Sequence, residues 1–321
     1  MPLPTSIPSF DELPLQKGDP IHSAWGLWGT GPESALGSLN YLTDELVLKT
    51  MKEEVRTGER VGLNLPLDLV NPPLLGRVGF EQKVIDKHPR VINDDVITFN
   101  TQGSSQWDSL RHFAYQGDKK FYNGTTQEQI HASPRTEINS LQSWTTRNLA
   151  GRGVLIDYAR YAKLHGISYE AFSAHPITVE DIEAIASEQG VKFAVGDVLF
   201  VRTGYVASYK AADQTRRELA AQGRWVGVRQ GQATLEWLWK KQFAALASDC
   251  PGFEMIPHAE GEGMLHPVVL SGWGTPLGEL FDLEALAVLA EKHNRWSFFF
   301  TSSPLNYTGA VASPPNATAI M

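Results

Sequence analysis

Two spacings of apolar positions run along this chain, one of helical type and one of strand type. After Thr43-Asp44-Glu45, the residues Leu46, Val47, Met51 and Val55 recur near helical spacing. This predicts a helix capped by Thr43 and ended by Gly58. The stretch from Val61 to Leu67 predicts a strand, which Asn71-Pro72-Pro73 turns into a loop. Between Arg90 and Asn100 the run Val96-Ile97-Thr98-Phe99 predicts a second strand, leading into the loop that follows. Farther on, short apolar runs of buried-strand type occur at Val154 to Asp157, Asp197 to Thr203, Phe243 to Ala247 and Trp296 to Thr301. Between them lie helical patterns: Val179 to Gly190, opened by a capping-box-like Thr178, then Gln232 to Gln242, and Leu283 to Lys292. Strands alternating with helices indicate an α/β fold. No repeat or linker divides the chain, so residues 23–321 read as one domain. The Pro-rich residues 1–22 read as an extended arm over that domain or a partner subunit.

Composition narrows the functional classes. The chain has 321 residues, is 42% hydrophobic and carries a net charge of −8 without a Lys/Arg run, which argues against nucleic acid and anionic membranes as partners. No apolar run is long enough to cross a bilayer, and the N-terminus lacks a basic region followed by an apolar stretch. The lone Cys250 excludes an internal disulfide, and a reducing, cytoplasmic location is expected. The chain has no Gly-x-Ser-x-Gly elbow, phosphate-binding loop, dinucleotide fingerprint or His-Glu-x-x-His helix.

Candidate chemistry concentrates in Thr101-Gln102-Gly103-Ser104-Ser105-Gln106-Trp107-Asp108-Ser109-Leu110-Arg111-His112. Small residues there let the backbone turn and approach a ligand. Asp108 and His112, four apart, suit an imidazole whose tautomer a carboxylate holds, leaving the other nitrogen as a base. The alternative is a structural pair that tethers the loop. Glu279 and His266 lie in a Gly- and Pro-containing segment that can return toward this loop. Gln102, Gln106, Ser105 and Arg111 are candidates for binding substrate, with Trp107, Tyr115, Trp25 and Trp28 as an aromatic lining; core packing is the alternative for each Trp. Arg202 reads as a structural ion pair and Cys250 as a small loop residue, whereas Asp249, ending an apolar strand, could reach the same pocket.

The run 102–112 resembles the signature His-x-Gly-Thr-His-x-Asp-x-Pro-x-His of the cyclase family, which includes kynurenine formamidases and isatin hydrolases. Asp108 and His112 match it and Ser105 stands for its Thr, while Gln102 and Gln106 replace two histidines and Leu110 the Pro. The segments Gly37 to Thr43, Gly196 to Gly204 and His266 to Glu279 extend the resemblance, and the Ser-Gln-Trp-Asp version is similar to that of a largely fungal branch. The resemblance implies a mixed, barrel-like β core wrapped by helices, a homodimer or homotetramer, and a small-molecule substrate. It further implies a cyclase or dehydratase acting on an aromatic or polyketide-like carbonyl compound of secondary metabolism. In this reading His112 is the base, polarised by Asp108, Glu279 is the acid, and Gln102 and Gln106 orient substrate oxygens. No cofactor is favoured, because carboxamides are weak ligands. Metal-dependent relatives imply an alternative, an amide or lactone hydrolase holding Mn or Zn on Asp108, His266, Glu279 and Gln106. A binding protein without activity is the third reading.

Overall fold

Side-chain caps set the helix starts. Thr43 Oγ1 accepts from Leu46 N at 3.2 Å and opens the helix Asp44–Glu54. Thr178 and Asp181 form a reciprocal capping box that opens Val179–Gln189, and Gly190 ends that helix in the left-handed region, at φ 67°. Gln232–Lys241 and Glu284–His293 end at left-handed Gln242 and Asn294. All four helices lie where the apolar spacing predicts them.

The computed structural model describes residues 6–321. Its strands are β1 (Arg60–Gly62), β2 (Glu81–Asp86), β3 (Asn93–Thr98), β4 (Gln106–Asp108), β5 (Leu149–Asp157), β6 (Pro176–Ile177) and β7 (Val198–Arg202). They continue with β8 (Gly227–Val228), β9 (Ala245–Ser248), β10 (Leu277–Glu279), β11 (Ser297–Ser302), β12 (Ala312–Ser313) and β13 (Ala317–Ile320). Nine of them form one mixed sheet, in the order β1-β13-β11-β5-β7-β9-β10-β4-β12, curled into a half-barrel wrapped by helices. This is the α/β architecture expected from the sequence. Strands β5, β7, β9 and β10 run parallel, and antiparallel strands flank them on both sides.

The parallel centre is covered on both faces. Its strands are therefore continuous apolar runs, such as Val154-Leu155-Ile156 and Val198-Leu199-Phe200-Val201, all of them buried. Phe200 packs among Phe281, Phe298 and Phe300 at 5.1–5.6 Å between ring centroids. Burying each such side chain contributes about 1.5–3 kcal/mol.

The N-terminal segment is part of this body. Phe10 and Leu13 are buried in the core, and Trp239 Nε1 donates to Pro8 O at 2.8 Å. Trp273 Nε1 donates to His22 O at 2.8 Å, and Ala24 N to Gly272 O at 2.9 Å. Residues 22–24 thus hold the end of the turn that follows His266, while Pro8 is tied to the helix Gln232–Lys241. The first five residues of the expected arm lie outside the described residues.

One expectation needs correction. The strand expected from Val61 to Leu67 is only Arg60–Gly62; beyond it the chain leaves the ladder, and Leu65 N donates to Ser105 Oγ instead of to a strand. The strand expected to lead into the 101–112 loop is present as β3, and it stands outside the core sheet. It pairs only with β2, in a hairpin whose Val84, Val96 and Ile97 are exposed. Among the described residues, no helix is long and apolar enough to cross a membrane.

Candidate active site

Strands β4 and β10 pair antiparallel, with Gln106 opposite Glu279 and Asp108 opposite Leu277. Strand alternation turns Gln106 and Asp108 to one face and Trp107 to the other. Gly278 is required on that other face: a Cβ there would lie 2.8 Å from Trp107 and 2.6 Å from Phe281. On the site face, Gln106 Nε2 donates to Glu279 Oε2.

His266 enters from the start of a wide helical turn, Pro267–Gly272, and is buried. Its Nδ1 is 2.5 Å from Glu254 Oε1 and its Nε2 is 3.0 Å from Glu279 Oε1. Glu254 also accepts from Leu265 N and His266 N, each at 2.9 Å, and from Gln230 Nε2 at 2.8 Å. Burial disfavours an imidazolium, but the bonds to Glu254 and Glu279 outweigh it and push the His266 pKa up to about 10. Burial pushes Glu254 up as well, yet the hydrogen bond and charge of His266 hold it below the ordinary carboxylate range. Burial and the nearby Asp108 charge hold Glu279 above that range.

The second half of the site runs toward solvent. Gln102 Nε2 donates to Asp108 Oδ1 at 2.7 Å and lies 2.9 and 3.0 Å from the two ring nitrogens of His112. Arg77 Nη1 donates to Gln102 O at 2.5 Å, and the Arg77 charge acts on Glu279. His112 and Phe113 line an open groove of about 460 Å³, together with Ala114, Tyr115, Phe121 and Gln127. The Phe113 ring packs edge-on against His266 at 5.6 Å, so the buried cluster lies directly behind the groove wall.

Asp108, His112, His266 and Glu279 are thus brought together, but not as expected. The nearest Asp108–His112 approach is 3.8 Å, beyond a hydrogen bond, because the Gln102 amide lies between them. The histidine gripped by carboxylates is His266. The amide N–H groups of Gln102 and Gln106 are committed to Asp108 and Glu279 rather than free for a substrate.

Several expected binding residues have other tasks. Ser105 Oγ donates to Leu280 O at 2.5 Å and accepts from Leu65 N at 2.7 Å, which ties loops together. Arg111 donates to the carbonyls of Gly309, Thr136 and Ile138, leaving no free fork for an anion. Trp107 is core: its Nε1 donates to Ser302 Oγ at 3.0 Å and its ring packs on Phe281. Trp25 donates to Ser271 O and lines a different groove, and Trp28 packs edge-on against Tyr41. Of the expected aromatic lining, only Tyr115 borders the His112 groove, with its hydroxyl tied to Ile21 O at 2.9 Å.

Asp249 turns away from the site and accepts from Thr203 N, Thr203 Oγ1 and Gly204 N. Arg202 pairs with Asp157 and Glu284, as its structural reading expected. Cys250 is buried, and burial raises its thiol pKa, so it is no nucleophile.

Sequence reasoning missed Glu254, Gln230 and Arg77. Glu254 left one trace, a single acid in the apolar stretch Phe253-Glu254-Met255-Ile256. Arg77 and Gln230 left none.

The donor set fits a divalent cation. One ligand atom each from Asp108, His266 and Glu279 lie within 4.8 Å of one another. Asp108 Oδ2 and Gln106 Oε1 are buried without a hydrogen-bond partner. Three buried carboxylates around one imidazole leave an excess of negative charge, which a proton or a cation must offset.

Comparison with known proteins agrees with this architecture. Residues 25–255 match the family model Cyclase, described as "Putative cyclase". A crystal structure of a novel cyclase superposes with a TM-score of 0.82 at 29% identity, covering 93% of this chain and 99% of that one. Isatin hydrolase A from Ralstonia solanacearum superposes at 0.59 with 15% identity, over 87% and 98% of the two chains. Isatin hydrolase A from Labrenzia aggregata superposes at 0.57 with 14% identity, over 86% and 97%. These two show a shared fold. A search of the curated proteins finds no match. With most of its length matched by one family model, this chain belongs to the cyclase family.

Proposed function

We propose that this member of the cyclase family acts on a small carbonyl compound, closing a ring with loss of water by general acid–base catalysis. One observation carries the reading: a buried carboxyl, Glu279, is held above its ordinary range directly behind a groove that presents His112. Two titratable groups in such different surroundings suit an acid and a base. His112 removes a proton from the carbon beside the carbonyl; the enolate carbon attacks a second carbonyl of the same molecule, which closes the ring, and the new alkoxide takes the proton from His112 to become a β-hydroxyl. His112 then removes the second proton of that carbon, leaving an enolate again. The enolate re-forms the carbonyl as the C–O bond of a β-hydroxyl breaks, and Glu279 gives that oxygen its proton, so water leaves and a C=C bond remains. Return of the His112 proton to Glu279 restores the site. Gln102 carries no charge; its amide holds Asp108 and His112 in register. Each such group contributes about 10²–10⁴-fold to rate.

A second reading, a metal-assisted amide or lactone hydrolase, draws on the unpartnered Asp108 Oδ2 and Gln106 Oε1. Asp108, His266, Glu279 and Gln106 would hold the ion, Mn or Zn, which would supply a Lewis acid. His112 would then take a proton from the attacking water. Elemental analysis and chelator treatment, combined with turnover of a panel of β-hydroxy ketones, lactones and N-acyl anilines, separate the two. Water elimination that survives chelation, and falls at least about 10²-fold in His112→Ala, is the expected result. Chelator-sensitive hydrolysis supports the second reading. Equal rates in wild type and His112→Ala sink both, and wild-type turnover no faster than the uncatalysed reaction leaves a binding protein.

A further inference from the structure

Glu254 is the buried acid that neither reading uses. It lies three residues beyond Pro251, on a turn that returns below the wall of the site, and it is fully enclosed. Its acceptor capacity is spent on one task. Oε1 takes both the backbone N–H of His266 and the ring Nδ1 of the same residue, at 2.9 and 2.5 Å. Oε2 takes Leu265 N and the amide of Gln230, at 2.9 and 2.8 Å. Gln230 is held in turn, because it also donates to Met255 O at 2.6 Å and its Oε1 accepts from Ala259 N at 3.2 Å. The carboxylate therefore cannot rotate away from the ring.

We propose that Glu254 is a positioning residue: it keeps a proton on Nδ1 of His266, so that Nε2 alone faces Glu279 and the reacting space. An acceptor-only carboxylate at 2.5 Å demands a donor on Nδ1. The neutral tautomer protonated on Nε2 would set a ring lone pair against a carboxylate oxygen only 2.5 Å away. With Nδ1 always a donor, Nε2 is either the proton-bearing partner of Glu279 or an open lone pair for a cation. Both readings of the site need this arrangement, and a carboxylate behind a histidine is the usual means of securing it. The Gln230–Glu254–His266–Glu279–Gln106 chain is thus one continuous run of hydrogen bonds from the core to the site. The proposal deepens the catalytic reading above, and its test needs no substrate.

The test is side-chain NMR of the full-length chain labelled with ¹⁵N-histidine, in wild type, Glu254→Gln and Glu254→Leu. In wild type, the His266 Hδ1 proton is expected far downfield and protected from exchange, with Nδ1 in the protonated form. In Glu254→Gln the amide oxygen still accepts, so the same tautomer persists with Hδ1 shifted upfield. In Glu254→Leu the Hδ1 signal is lost, and Glu279, the acceptor that remains at 3.0 Å, draws the proton to Nε2. An unmoved Hδ1 resonance in Glu254→Gln, or a retained Nδ1–H in Glu254→Leu, overturns the proposal. If Glu254→Leu does not fold, Glu254→Gln alone decides by that shift. A purely structural Glu254 would change stability but not the tautomer. Loss of turnover in His112→Ala is a separate observation, so either idea can fail without the other.

Discussion

Replacing Gln102 by Leu removes the donor that reaches Asp108 Oδ1 at 2.7 Å. Asp108 Oδ2 already lacks a partner, so the substitution leaves a fully buried carboxylate with neither oxygen hydrogen-bonded. A hydrogen bond to a charged group is worth about 1.5–3 kcal/mol, and an orphaned buried acceptor costs a similar amount. Gln102→Leu alone should therefore destabilise the fold by about 2–3 kcal/mol. Asp108→Leu removes the group that needs the donor, so adding Gln102→Leu in that background should cost little. The expected coupling energy is about 1.5–3 kcal/mol, read from urea unfolding midpoints of the four proteins of the cycle. Additive effects within about 0.5 kcal/mol would show that the amide does not hold Asp108. The contact assigned to Gln102, and with it the position of His112, would then be wrong.

Four further outcomes follow from the same geometry. The folded state of the metal-free protein holds a proton on His266, with a pKa of about 10 against an ordinary 6.5. Stability is thus fully present below pH 6.5 and falls through pH 10, by at most about 1.4 kcal/mol per unit; His266→Gln should flatten that slope in unfolding midpoints measured from pH 7 to 10. Gly278→Val, which drives a side chain into Trp107 and Phe281, should lower the yield of folded protein and cost more than about 3 kcal/mol, read by thermal unfolding. Deleting residues 1–13 strips the buried Phe10 and Leu13 and should destabilise by about 3–6 kcal/mol in urea, whereas an arm merely resting on the surface would cost almost nothing. Arg111→Met should lower stability, and a binding constant measured for any groove ligand should stay within about threefold of wild type, because the guanidinium meets only backbone carbonyls.

The helices were legible because their caps and their apolar faces agree; Thr43 and Thr178 do locally what the tertiary structure also demands. The buried parallel strands were legible as unbroken apolar runs. Strand β3 was legible from Val96, Ile97 and Thr98, but nothing in a local pattern tells whether a strand joins the core or, like this one, stands outside it. At the site, the family signature pointed to Asp108 and His112, and the fold does bring them near His266 and Glu279. Which histidine is gripped was hidden, because spacing along a chain says nothing of a partner such as Glu254, which reaches His266 only through the course of a turn. The substituted glutamines were readable as lost imidazoles. Their insertion between charged groups, Gln102 between Asp108 and His112 above all, is a property of three-dimensional packing.

The exposed hairpin of β2 and β3 leaves the body beside Arg77 and returns beside Gln102, yet its strands pair only with each other. Within the single chain, residue changes along that excursion meet no buried neighbour to offend. The molecule can therefore vary what it encounters at its periphery while the hydrogen-bonded centre stays the same. In the laboratory, a tag or reporter grafted at the tip of the hairpin, around residues 87–92, would sit among exposed residues and away from that centre.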